Sequence, residues 1–126
     1  MRPDAEVRLP AETVYVAVLR MAASGIAARL DFTLDEVEDL RMAVSEACAL
    51  VLADATPGGD LTAGFFLGEG SVRITVSADS SGSGPDQDSF AWQVLTTTAD
   101  DVVSENTGGQ VSISLTVTSA TAGPTA

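Results

Sequence analysis

The chain has 126 residues, enough for one domain around one hydrophobic core, with 45% hydrophobic residues but only 5% aromatic ones. Its formal net charge is −12, from 18 acidic and 6 basic residues, and it has no histidine. All six basic residues are arginines, so the chain has no histidine base, Schiff-base or Walker lysine, or histidine-liganded metal to offer, and its charge disfavours direct nucleic-acid binding.

The core must be built from Val, Leu, Ile and Ala. No apolar run approaches the roughly 18–20 residues that span a bilayer. Met1-Arg2-Pro3-Asp4 has no signal-peptide pattern, so a cytoplasmic protein away from membranes is expected. The single cysteine, Cys48, excludes an internal disulfide and reads as a buried structural thiol among Ala47, Ala49 and Leu50.

Residues 5–9 alternate small or apolar with charged side chains, as a strand does. Pro10 is then expected to open a helix over about 11–29, with Leu19, Ala22, Ile26 and Leu30 as its buried stripe. Thr33 suits the cap of a second helix over about 34–53, and Asp35 and Glu36 complement its dipole. Val37, Leu40, Val44, Ala47 and Val51 form its core stripe. From Met42 to Ala53 only Ser45 and Glu46 interrupt apolar sequence, so this helix should be covered on more than one side.

A turn cluster at 54–60 precedes a hairpin over about 61–67 and 71–78, joined by Gly68-Glu69-Gly70. Residues 79–89 are small and polar, as in a mobile loop. A third helix follows at about 89–99, with Phe90, Val94 and Leu95 expected inward. Strands at 101–104 and 111–117 flank a Gly108-Gly109 turn. One domain over 1–118 is expected, with 119–126 as a disordered tail. The order predicts an α+β fold, a two-layer α/β sandwich with a mixed, mostly antiparallel sheet and helices on one face.

Glu46 is a carboxylate in an apolar helix, costly there unless solvated or paired, and an exposed position at the helix's solvent edge would also account for it. The surrounding run Glu38-Asp39-Leu40-Arg41-Met42-Ala43-Val44-Ser45-Glu46-Ala47-Cys48 resembles the N-box helix of the GHKL (histidine kinase-like, Bergerat-fold) ATPase superfamily. It is most similar to the RsbW/SpoIIAB branch of anti-sigma factor kinases. Residues 17–27 look like that branch's first helix, Val72–Val76 its central strand, and Trp92–Val102 its last helix and the strand after it.

The resemblance implies an ATP and Mg²⁺ site, an alternative sigma factor as sequestered partner, and a STAS-domain anti-anti-sigma factor as antagonist and kinase substrate. In the family's N-box the glutamate is followed four residues later by a magnesium-binding asparagine. Here Glu46, the candidate catalytic residue, is followed by Leu50, which has no oxygen for a hard cation. The adenine-reading aspartate position falls on Ala78, or on Asp79 with Gly82 and Gly84 behind it after a one-residue slip. Both glycines equally suit a plain Ser/Gly loop. Ser89-Phe90-Ala91-Trp92 replaces the glycine-rich turn that would wrap phosphate, and Trp92 reads as a core or interface anchor.

Glu46, Leu50, Asp79, Gly82 and Gly84 are thus a degenerate nucleotide site. Glu46 is an inactive remnant, no metal site is expected, and no cofactor is expected unless ATP and Mg²⁺ still bind. Arg20, matching an arginine of the family's first helix, and Val16 one turn earlier are the expected partner-binding residues. The expected function is that of an anti-sigma factor in a stress response, acting as a homodimer by stoichiometric binding. An active serine/threonine kinase of the same family and a non-enzymatic adaptor are the alternatives.

Overall fold

Local chemistry fixes the second helix. Glu36 N–H donates to Thr33 Oγ1 at 3.2 Å, and Thr33 N–H donates to Glu36 Oε1 at 2.7 Å. This reciprocal capping box satisfies backbone donors that the first helical turn cannot pair itself. In the computed structural model, which describes residues 2–120, the helix runs Leu34–Ala53 (α2). It is preceded by strand β1 (Ala5–Pro10), a 3-10 turn (Thr13–Tyr15) and helix α1 (Val16–Arg29). It is followed by β2 (Asp60–Gly68), β3 (Ser71–Asp79), α3 (Phe90–Thr98), β4 (Asp101–Thr107) and β5 (Gln110–Thr118).

The five strands form one sheet in the order β1-β2-β3-β5-β4. All four pairings are antiparallel, so the expected mixed component is absent among the described residues. The register pairs Leu61 with Ala78, Ala63 with Val76 and Phe65 with Ile74. The same inner face carries Val111, Ile113 and Leu115 of β5. Every one of these side chains is buried, and each of the larger ones contributes about 1.5–3 kcal/mol. Gly68 pairs with Ser71, which leaves Glu69 and Gly70 as a two-residue turn, with Gly70 at φ 66°.

The α2 helix lies over β3 and β5 and is flanked by α1 and α3. Its buried set is Leu40, Ala43, Val44, Ala47, Cys48, Leu50 and Val51, a wide arc that three neighbours cover. The α1 stripe is Val16, Leu19, Ala23 and Ala27; the expected Ala22, Ile26 and Leu30 flank it, half-buried. The expectation that Pro10 opens this helix is corrected: Pro10 ends β1, paired with Asp60. An edge strand tolerates proline because its missing N–H costs no ladder bond there. Phe90 is also corrected, being 77% exposed at the start of α3, while Leu95 is the buried residue of that helix. Trp92 packs half-buried against the core.

The expected tail at 119–126 starts differently. Ser119 is buried, and both Ser119 and Ala120 bond to Glu36; residues 121–126 lie outside the described residues. No helix among the described residues is long and apolar enough to cross a membrane.

Candidate functional site

Arg20 leaves α1 toward α2, where its Nη1 donates to Ser45 Oγ at 3.3 Å. Among the described residues the ion pairs join Arg8 to Glu6 and Arg41 to Glu38, so Arg20 has a hydroxyl anchor and no carboxylate in salt-bridge contact. The two side chains stand at a cleft of about 460 Å³ between the helices, lined also by Thr13, Val16, Ala49, Leu52 and Ala53. Such a cleft is concave, mostly apolar and carries one fixed cation, which suits a partner's carboxylate beside an aliphatic group.

Val16 is 6% exposed and belongs to the core, so it forms the cleft's floor and presents little surface to a partner. The apolar side chains that this region does expose are Val14, Val18 and Met21. Ser45 as the anchor of Arg20 escaped the sequence reading. Its signal was there, since Ser45 and Glu46 alone break the apolar run of α2.

Glu46 follows Ser45 on α2 and is half-buried. It lines a shallow recess of about 200 Å³ with Arg20, Glu38, Arg41, Met42 and Ser45. The half-exposed position leaves the Glu46 carboxylate in contact with solvent, which avoids the cost of burying it. Leu50, one turn later, is buried in the core and turns only carbon toward its neighbours.

The remaining residues of the expected nucleotide site gather at the other end of α2. Asp79 is the exposed last residue of β3, and its carbonyl accepts from Thr56 N–H at 2.8 Å. From Glu46 to the end of α2 is a rise of about 10 Å at 1.5 Å per residue. Ser80 N–H donates to Gly109 O at 2.8 Å, and Gly82 N–H donates to Ser80 Oγ at 3.0 Å. Asn106 Nδ2 donates to Gly82 O at 3.1 Å. A Cβ on Gly82 would stand 2.6 Å from the Asp54 carboxyl carbon, and Gly84, at φ 93°, lies against Asn106. Gly82 thus allows close approach to Asp54, and Gly84 supplies a left-handed backbone conformation that a side chain would strain. At the start of α3, Ser89 Oγ accepts from Trp92 N–H at 3.2 Å, so the side chain caps the helix itself.

Burial pushes the Cys48 thiol up to about 12, against a smaller opposing pull from the Arg20 charge. A thiol held protonated in the core is no nucleophile.

No protein-family model matches the chain. Among curated proteins, it is 40% identical over 86 residues to the serine-protein kinase RsbW of Halalkalibacterium halodurans, covering 68% of this chain and 52% of that protein. It is 36% identical over 75 residues to the serine-protein kinase RsbW of Bacillus subtilis, covering 57% and 47% respectively. The chain therefore spans about half the length of the curated relatives it matches. Among solved structures, the RsbU and RsbW domains of a Mycobacterium tuberculosis protein superpose with a TM-score of 0.68, covering 91% of this chain and 31% of that one at 16% identity. At that identity the likeness is one of fold.

Proposed function

The chain is RsbW-like, in sequence and in its GHKL ATPase-like fold, and from that premise we propose that it is an anti-sigma factor working by stoichiometric binding. It sequesters an alternative sigma factor and releases it when a STAS-domain antagonist takes its place. The observation that carries this reading is Arg20, bonded to Ser45 at the cleft between α1 and α2 and in no ion pair among the described residues. A guanidinium so placed grips an incoming carboxylate through two parallel N–H donors. Val16, Ala49 and Leu52 supply the apolar lining beside it.

In the same reading the nucleotide site is degenerate. Leu50 stands where the family needs an oxygen donor for Mg²⁺, and it belongs to the core. Gly82 is used in packing and Gly84 in a left-handed turn, and the α3 N-terminus is capped by Ser89. These residues do not fit a magnesium–phosphate group, although the relatives carry the name of kinases. A homodimer is part of the proposal, since a two-fold pair would cover an open edge at β1 or β4.

Arg20→Ala tests the binding surface. Affinity for the sequestered sigma factor falls about tenfold or more, as loss of a central interface arginine does, while the circular dichroism spectrum is unchanged. Undiminished affinity would remove Arg20 from the interface. Calorimetric titration with ATP and Mg²⁺ tests the second half: micromolar binding, or ATP-dependent phosphorylation of a STAS-domain partner, would restore the kinase reading.

A further inference from the structure

A second groove lies on the opposite flank of α2, where α3 packs against it. Met42, Phe90, Gln93, Val94, Thr97 and Thr98 line about 290 Å³ of open, mostly apolar space. Phe90 is 77% exposed and Met42 is 49% exposed, so two large apolar side chains face solvent on its two walls. Together they make an apolar groove that no other described element covers.

The surroundings specify the occupant. Asp35, Asp39, Met42 and Glu46 succeed one another at helical spacing along one stripe of α2, and the two aspartates are exposed. Asp86 and Asp88, both exposed, lead directly into the Ser89 cap and Phe90. No arginine lines the groove; Arg41 is engaged by Glu38 at 3.0 Å and, with Arg20, lies in the recess on the outer side of α2. A second copy seated in this groove would bring the same acidic rim against itself. Anionic lipid and nucleic acid are repelled for the same reason.

We propose that the Met42–Phe90 groove docks a basic amphipathic helix of a partner protein. Its apolar face would sit between α2 and α3, and its cations would meet Asp35, Asp39, Asp86 and Asp88. Arg20 does not line the groove, although Met42 borders both it and the recess that holds Arg20, and the groove adds a second contact to the one proposed above.

The test is titration of the full chain with a Leu/Lys amphipathic peptide and its Leu/Glu counterpart. Trp92, the only tryptophan of the chain, reports from α3. The Leu/Lys peptide binds saturably, shifts Trp92 emission and weakens with added salt. Met42→Ser and Phe90→Ser each reduce its affinity about tenfold, whereas Arg20→Ala leaves it unchanged. Both substituted side chains are exposed, so the variants stay folded. Equal binding of the Leu/Glu peptide, no saturable binding, or loss in Arg20→Ala overturns the proposal. So does a Phe90→Ser variant that converts a dimer to monomer in sedimentation, because the occupant is then a second copy.

Discussion

Ala120 N–H donates to Glu36 Oε2 at 2.6 Å, which ties the chain just beyond the last strand to the first turn of α2. The other carboxylate oxygen accepts from Thr33 N–H at 2.7 Å and from Ser119 Oγ at 2.8 Å. One side chain thus closes the capping box and fastens the end of the sheet.

These bonds, led by those from the Thr33 and Ala120 backbone, hold the Glu36 carboxyl at about 2 against an ordinary 4.5. A depressed carboxylate contributes stability that is fully present above its unfolded value and is lost as pH falls through the folded one. Glu36→Ala is therefore expected to lower Tm near neutral pH. The gap between variant and wild type should narrow below 4.5 and close near 2. Thermal melts across that range check it; a gap independent of pH would deny the charged form its role.

Cys48 offers a second check on the core. With its thiol buried and pushed up to about 12, it should not react with a thiol reagent in the native state at neutral pH. Labelling should proceed only through unfolding, and its rate should rise with denaturant in step with the loss of helix signal. Fast stoichiometric labelling of folded protein would contradict the burial of α2.

Elements set by local chemistry are legible in the sequence, and positions set by distant partners are not. The α2 bounds were readable because Thr33 and the uninterrupted apolar stripe act locally. The hairpin at Glu69–Gly70 was readable because its flanking strands alternate cleanly. The places of Pro10 and Phe90 are not legible locally because each is decided by distant partners. Pro10 is fixed by Asp60 across the sheet, and Phe90 by the direction in which α3 meets α2. The Glu36–Ala120 bond spans 84 positions and leaves no local trace beyond the Thr33-x-x-Glu36 spacing. Within the candidate site Arg20 was readable by resemblance, but its cleft and its Ser45 anchor exist only once two helices are side by side.

The two loop glycines separate packing from nucleotide binding. Alanine at Gly84 must adopt φ near 93°, a strain of about 1–2 kcal/mol. Alanine at Gly82 meets the flexible end of Asp54, which can swing aside, so its cost is smaller. Urea unfolding should rank Gly84→Ala below Gly82→Ala in stability, with partner affinity unchanged in both. If either variant instead altered ATP binding without altering stability, the loop would be a phosphate loop.

Leu50 is the sharpest test of whether the nucleotide site can be rebuilt. Leu50→Asn supplies the oxygen that the N-box pattern lacks, but at a position 7% exposed and packed into the core. The exchange removes apolar burial and leaves an amide short of partners, at a cost of about 2–4 kcal/mol. The phosphate-wrapping glycines are still absent at Ser89-Phe90-Ala91-Trp92, so the amide alone should not bring ATP and Mg²⁺ binding. Denaturant unfolding should show the loss of stability, and calorimetry should show no heat of nucleotide binding. Micromolar affinity in the variant would mean that Leu50 by itself silences an otherwise competent site, and the protein would then be one substitution from a nucleotide-binding site.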